Sequence, residues 1–173
     1  AIEKAWTDNH ERSLKLLGFP DNVIKRIVIN PPDEMMEAAN SLIPVYLEQR
    51  AFREFQGYTI GGKFDLVTDG VLQDTKSTSV FAWMNADRRD NEYQLQGSLY
   101  RWIDAVQGRR KITEDFIRIN FIFTDWQKFQ AKTNPNYPQH RIQHKEIPLL
   151  SLEKTEAWVK EKLALIQKYK SAE

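Results

Sequence analysis

The sequence contains no cysteine among its 173 residues. This absence excludes disulfides, zinc sites with thiolate ligands and iron–sulfur clusters. Only three histidines remain as soft metal ligands, and two of them, His140 and His144, match no zinc-binding spacing. The metal chemistry open to this chain is therefore narrow.

Long apolar runs are also missing. No run approaches the roughly 18 residues that a transmembrane helix needs, and no secretory signal pattern opens the printed sequence. We therefore expect no membrane association and a cytoplasmic location.

An excess of one charge is absent as well. The chain has 25 basic and 24 acidic residues, which gives a net charge of +1. This balance argues against a protein that coats DNA through overall positive charge, although a local groove or a bound metal ion can still attract phosphate. With 41% hydrophobic and 12% aromatic residues, the composition is typical of one globular domain.

The order of predicted elements indicates an α/β fold. We predict one domain over 1–173, with a helical part at 1–44, a sheet and helix at 45–148 and a terminal helix at 149–173. Within it, the patterns predict helices at 1–17, 22–28, 33–43, 92–106 and 151–170, strands at 45–55, 57–68, 71–78, 116–126 and 141–147, and loops at 79–91 and 127–140. A mixed central β-sheet flanked by helices accommodates this order.

A predicted hairpin carries charged residues in its strands. A two-residue Asp69-Gly70 turn sets residues 68 and 71 opposite each other, and Asp65 then lies opposite Asp74. Adjacent carboxylates repel each other unless a proton or a cation lies between them. Mg²⁺ or Mn²⁺ would fit, since both prefer carboxylate oxygens.

Lys76 lies two residues after Asp74, so the two side chains share one face of the strand. There, the lysine could orient an attacking water and stabilise developing negative charge. The alternative is an exposed hairpin face with an ordinary Asp–Lys ion pair.

A second pair lies on the helix predicted at 92–106. Gln96 and Tyr100 are four residues apart and share a helix face, where an amide and a phenol could both bind a phosphate. Ordinary packing on the helix surface would explain this pair equally well.

Taken in order, these motifs resemble the PD-(D/E)XK nuclease superfamily, in particular its RecB-like and phage-type exonuclease branch. "GGKFDLVTDGVLQDTKSTS" followed by "YQLQGSLYRW" is similar to the family pattern Gly-x-x-Asp, Asp-x-Lys and Gln-x-x-x-Tyr. The matching residues are Gly62 with Asp65, Asp74 with Lys76, and Gln96 with Tyr100. The resemblance covers about a third of the chain and implies a restriction-endonuclease-like core (αβββαβ).

The resemblance implies roles for these residues. Asp65 and Asp74 would bind Mg²⁺ or Mn²⁺, the Thr75 carbonyl would join the metal shell, and Lys76 would assist the water. Gln96 and Tyr100 would hold the DNA strand or brace the site.

Further positions follow from the resemblance less directly. His10 would complete the metal shell, or would be a solvent-facing helical histidine. Glu48 would be an additional acidic ligand; the alternatives are Glu37, Glu54 or an exposed strand glutamate.

Arg88 and Arg89, before the helix, would contact DNA phosphates, or would belong to an ordinary solvated loop. The iron–sulfur cluster of some relatives is excluded, because its cysteines are absent.

We therefore expect a metal-dependent DNase. It would act as an exonuclease on DNA ends or single strands, in recombination, repair or phage DNA metabolism, within a bacterial or phage-infected cell and alongside a recombination partner protein. A structure- or site-specific endonuclease, a catalytically silent nucleic-acid-binding module and an RNA-cleaving enzyme are the alternatives. The sequence identifies no oligomeric interface.

Overall fold

The computed structural model describes residues 2–39, 41–85, 89–106, 108 and 110–170. The helices are α1 (Ile2–Leu16), α2 (Asp21–Ile24), α3 (Asp33–Ala38), α4 (Val80–Met84), α5 (Asp90–Asp104), α6 (Lys128–Thr133) and α7 (Leu152–Lys170). The strands are β1 (Ile27–Ile29), β2 (Ile43–Phe55), β3 (Tyr58–Thr68), β4 (Val71–Thr78), β5 (Phe116–Phe123) and β6 (Ile142–Pro148). Within the described ranges, no helix combines the length and apolar character needed to cross a membrane.

The six strands form one mixed sheet in the order β1-β2-β3-β4-β5-β6. The β1–β2 and β4–β5 pairs are parallel and the others are antiparallel. Parallel neighbours need a crossover, which α3 provides for the first pair and α4 with α5 for the second. The predicted α/β class, with a mixed sheet flanked by helices, is confirmed.

Two tight turns fix the central hairpins. Gln56 and Gly57 have φ values of 50° and 77°, and Asp69 and Gly70 have 49° and 77°. Positive φ at both central residues is the signature of a type I′ turn, whose twist matches that of the flanking strands. The hairpin predicted at Asp69-Gly70 is confirmed.

Four local predictions were wrong. The helix predicted at 33–43 ends at Ala38, and Ile43 already belongs to β2. The helix predicted at 22–28 ends at Ile24, because the β-branched residues of Ile27–Ile29 form β1 beside residues 43–45 of β2. The loops predicted at 79–91 and 127–140 contain the short helices α4 and α6. Helix α4 begins where the Ser79 side chain accepts a hydrogen bond from the Ala82 amide.

The main hydrophobic core lies between the sheet and helices α5 and α7. Trp102 and Ile103 of α5 are fully buried, and Val159 and Leu163 of α7 belong to the same cluster. The sheet contributes Tyr46, Ala51, Phe64, Val67, Leu72, Ile117, Ile119, Phe121, Phe123 and Ile147. Helix α5 is therefore fixed against the middle of the sheet, where the candidate site lies.

Arg53 links β2 to both helices. Its guanidinium lies 3.7 Å from the centre of the Trp102 ring and donates a 2.8 Å hydrogen bond to the Trp102 carbonyl. It also reaches Glu156 of α7 at 3.4 Å. Arginine suits this position because its planar group can stack and donate hydrogen bonds at the same time.

Candidate active site

The candidate site lies where β3 and β4 separate. Their paired register runs from Thr68–Val71 to Leu66–Gln73, as the turn predicts, and ends there. The next residue on each strand is an aspartate, Asp65 on β3 and Asp74 on β4. Beyond this point β3 continues beside β2 and β4 beside β5. The two carboxylates thus mark the opening of a wedge between the central strands.

A third acidic residue, Glu48, lies on the other side of Asp65. Leu47 pairs with Leu66 and Gln49 with Phe64, so Glu48 lies opposite Asp65 in the β2–β3 register. Register positions therefore place three carboxylates in a row across β2, β3 and β4.

The backbone is distorted at Glu48, whose φ of 51° is unusual for a residue other than glycine. Asn30, at the end of β1, supports this segment: its Oδ1 accepts a 2.7 Å hydrogen bond from the Leu47 amide, and its Nδ2 donates to the Leu47 carbonyl. Such backbone strain persists only where surrounding contacts hold it, and it concentrates at functional sites.

The face that β2 and β3 turn toward the main core changes at the same place in both strands. In β3 the buried positions change from the even-numbered Phe64 to the odd-numbered Val67, with the half-buried Asp65 between them. In β2 the core cluster takes Tyr46 before the distortion and Ala51 after it. Since side chains alternate along a strand, this shift shows a local kink at Glu48 and Asp65.

Two lysines pair with the outer acids of the row. Lys63 Nζ lies 2.6 Å from Glu48 Oε2, and Lys76 Nζ lies 2.7 Å from Asp74 Oδ2. Asp74 is 9% exposed, and its buried Oδ2 receives no hydrogen bond of standard geometry, although Lys76 is close enough for an ion pair. We treat the contact as an ion pair, because its length is that of a close N⁺–H···O⁻ contact.

Burial and the neighbouring charges shift the pKa values of Asp65 and Lys76. Burial raises the pKa of the Asp65 carboxyl, and the negative charges of Asp74 and Glu48 raise it further, against the opposing effects of Lys76 and Lys63. Burial alone would lower the pKa of Lys76, but the hydrogen bond and charge of Asp74, together with the charges of Tyr93 and Asp65, outweigh burial and raise that pKa. Lys76 therefore holds its proton more tightly than a free lysine, and Asp65 loses its proton less readily than a free aspartic acid.

A divalent cation would relieve this imbalance. The donors are hard carboxylate oxygens, the set that Mg²⁺ and Mn²⁺ prefer, although the buried Oδ2 of Asp74 already lies 2.7 Å from Lys76 Nζ. In the described part of the chain, no group of three or more His, Asp or Glu side chains converges closely enough to hold a metal ion. Two of the three acids are instead held by lysines. The residue types fit a cation, and binding would require the lysines to yield these acids.

Helix α5 carries the predicted Gln–Tyr pair. Gln96 Nε2 donates a 3.4 Å hydrogen bond to the Tyr100 hydroxyl. The Tyr100 ring lies so close to Gly62 that a Cβ atom there would be 2.4 Å from ring carbon Cε1. Phe64 packs edge-on against the same ring, with centroids 6.4 Å apart. Gly62 of the Gly-x-x-Asp motif therefore lies directly against Tyr100 of the Gln-x-x-x-Tyr motif.

Two of the remaining predicted residues, Thr75 and Arg89, are exposed. Thr75 is an exposed residue of β4 and pairs with Asn120 of β5. Arg89 is exposed at the start of α5 and lines a cavity that Lys76 also lines. Arg88 lies outside the described residues.

The contacts of His10 lie within its own helix. Its Nδ1 lies 3.0 Å from the Trp6 carbonyl oxygen, and its ring stacks on Trp6 within α1. Of the three candidate glutamates, Glu48 is the one whose charge acts on Asp65. Glu37 is exposed on α3, and Glu54 accepts a hydrogen bond from Thr59 near the Gln56-Gly57 turn.

Sequence reasoning missed two residues of the site. Lys63 lies two residues before Asp65 on β3, so the two side chains share one face of the strand. This spacing could have indicated a second lysine on the charged face. Tyr93 of α5 is the other residue, and its ring centre lies 5.9 Å from Lys76 Nζ. A cation near a tyrosine ring is stabilised modestly by the charge distribution of the ring.

Comparison with known proteins adds little. No protein-family model and no curated protein matches the chain. Among solved structures the chain is similar to SSO0001, a protein of known crystal structure, with a TM-score of 0.44 and 12% identity over 94% of this chain and 69% of that chain. A likeness this weak carries no argument about function.

Proposed function

We propose that this chain is a divalent-metal-dependent DNase of the PD-(D/E)XK type, with a restriction-endonuclease-like core, and that it acts as an exonuclease on DNA ends or single strands. The observation that carries the proposal is the row of Glu48, Asp65 and Asp74 at the opening between β3 and β4, with Lys76 beside Asp74. Burial and the neighbouring acids raise the pKa of Asp65, an electrostatic cost that a bound cation would offset.

Asp65 and Asp74 would hold Mg²⁺ or Mn²⁺, with Glu48 and the Thr75 carbonyl as further candidate oxygen ligands. The bound cation would neutralise a phosphate and lower the pKa of a water molecule. Without it, the two aspartates face each other with only the lysine charges to compensate them.

Lys76 would assist the attacking water. Once a bound cation replaces it beside Asp74, its ammonium group could orient that water or donate a hydrogen bond to a phosphate oxygen. In the hydrolysis itself, the water oxygen bonds to phosphorus, one P–O ester bond breaks, and the leaving oxygen takes up a proton.

Gln96 and Tyr100 would position the substrate. Both are half-buried on α5, and contact with Gly62 fixes the tyrosine ring relative to the acidic strand. An amide and a phenol held in this way can hydrogen-bond a phosphate without adding charge.

A gel assay with end-labelled linear DNA and closed circular DNA tests the proposal, in Mg²⁺, Mn²⁺ or EDTA. We expect metal-dependent loss of linear DNA, abolished in Lys76→Ala and Asp74→Ala. Lys154→Ala, which removes an exposed lysine of α7, is the matched control and should cleave like the parent.

Cleavage of the circle would identify an endonuclease on the same fold. Full activity in both site variants would contradict the assignment of the site. Absence of cleavage under every condition, with DNA binding retained, would indicate a binding module.

A further inference from the structure

A cavity of about 330 Å³ lies beside Lys76, at the end of β4. Short helix α4 and the first turns of α5 enclose it, and its lining includes Trp83, Asn85, Arg89, Tyr93 and Phe121. Its volume is within the range of pockets that bind small molecules, about 300–1,000 Å³. The function proposed above assigns no role to this space.

The aromatic walls of the cavity are held in place by buried rings. Trp83 packs edge-on against Phe123, with centroids 5.3 Å apart, and Tyr93 packs edge-on against Phe121 at 6.3 Å. Both phenylalanines are buried. Trp83 itself is only half-buried. Rings with fixed orientations that still border a cavity can stack on a planar ligand.

Helix α4, which carries Trp83, is anchored at its start. The Val80 amide donates a 2.8 Å hydrogen bond to Asp125 Oδ1, beyond the end of β5. This wall of the cavity is thus attached to the sheet, and the pocket exists before any ligand binds.

The polar lining favours an anion. Arg89 and Lys76, the latter paired with Asp74, both line the cavity, and among the described residues that line it there is no aspartate or glutamate. Asn85 and the hydroxyls of Ser77 and Thr78 add neutral hydrogen-bonding groups. Aromatic faces, two cations and neutral hydrogen-bonding groups together are the features that recognise a nucleotide.

We propose that this cavity binds the base of an unpaired nucleotide next to the scissile phosphate. The base would stack on Trp83, and its phosphate would lie toward Lys76 and Arg89. A base paired within a duplex is enclosed by its neighbours and could not enter, so the cavity would select frayed ends or single strands. This inference rests on the proposed nuclease function and makes its substrate more specific.

Fluorescence anisotropy of a labelled five-nucleotide DNA in EDTA tests the inference without cleavage. A matched oligonucleotide with abasic sites provides the same phosphates without bases. We expect the parent to bind the base-containing DNA more tightly. Trp83→Leu keeps apolar packing but loses the aromatic face, and should weaken that binding by about fivefold to 150-fold, the range for loss of one base stack. Trp83→Leu should bind the abasic DNA as tightly as the parent does.

Phe81→Leu is the matched control, because Phe81 lies on the same helix, is 76% exposed and is not among the residues that line the cavity. Trp83→Phe retains a ring and should restore most of the preference for bases, which separates stacking from a folding defect. Arg89→Gln should weaken binding of both oligonucleotides.

Equal effects of Trp83→Leu and Phe81→Leu, or equal binding of both oligonucleotides by the parent, would overturn the inference. The gel assay keeps the two proposals apart. A parent that cleaves DNA without base-dependent binding would retain the nuclease function and lose the cavity proposal. A parent that prefers bases through Trp83 but never cleaves would retain base binding in the cavity and lose the nuclease function.

Discussion

Gly62→Ala is the sharpest test of how the motifs fit together. A Cβ atom at this position would lie 2.4 Å and 2.8 Å from two carbons of the Tyr100 ring, well inside van der Waals contact. Over-packing of this kind costs about 1–3 kcal/mol. Alanine also reduces the backbone freedom of the unfolded chain, which stabilises the folded state by about 0.4–1 kcal/mol. We therefore expect a net loss of about 0.5–2 kcal/mol in the free energy of unfolding.

The neighbouring Gly61 provides the control. A Cβ atom there would lie 2.6 Å from the Phe52 ring, which is 52% exposed and can move into solvent. Gly61→Ala should therefore leave stability unchanged or raise it slightly. Urea unfolding of both variants measures the difference, and the stability change should appear in the midpoint at an unchanged slope.

A double variant shows whether the tyrosine causes the loss. Tyr100→Leu removes the ring from Gly62, so adding Gly62→Ala to this background should cost far less than in the parent. If Gly62→Ala is as stable as Gly61→Ala, or if Tyr100→Leu does not reduce its cost, the close contact between the two motifs is not as described.

Two further predictions concern charged groups. Burial raises the pKa of Asp104, although hydrogen bonds from the Ile112 and Lys111 amides oppose this rise. The protonated Asp104 carboxyl therefore contributes stability below pH 3.8, and this contribution is lost as pH rises through the higher pKa of the folded state. Asp104→Asn should remove this part of the pH dependence in urea unfolding, and an unchanged profile would refute it. Lys63→Met removes the ion pair with Glu48, and ion pairs of this kind contribute about 0.2–1 kcal/mol. Calorimetry should therefore show that the variant binds Mn²⁺ up to about fivefold more tightly than the parent. Weaker binding would count against Glu48 as a ligand.

The hairpin of the candidate site was predictable because its turn is short. A two-residue turn fixes the register of the strands that it joins, and the predicted pairing holds up to Leu66–Gln73. The separation of β3 from β4 at the next residues was not predictable, since the turn fixes the register only where the two strands stay paired.

The position of Glu48 was within reach of the same reasoning. The Gln56-Gly57 turn sets Phe55 opposite Tyr58, and counting back along both strands places Glu48 opposite Asp65. The positive φ of Glu48 was not predictable, because glutamate has no intrinsic preference for that conformation. The adjacent Leu47 backbone is held by Asn30, a contact across 17 residues of sequence.

The cavity beside Lys76 was hidden for a similar reason. The stretch at 79–91 reads as a polar and aromatic loop, because α4 is too short to show helical periodicity. Its orientation depends on Asp125, which follows β5. Contacts of this kind are set by the tertiary fold and not by local sequence.

The central claim is that Asp65 and Asp74 form a site for a divalent cation. Calorimetric titration of Mn²⁺ into the parent, Asp65→Asn and Asp69→Asn tests it most directly. Asp69 is the matched control, because it is an exposed aspartate of the same hairpin whose φ of 49° asparagine tolerates well.

We predict that the parent and Asp69→Asn bind Mn²⁺ alike and that Asp65→Asn binds at least about tenfold more weakly, the lower limit for loss of even a supporting group at a metal site. A parent that does not bind Mn²⁺, or an Asp65→Asn variant that binds it as tightly as the control, would contradict the account.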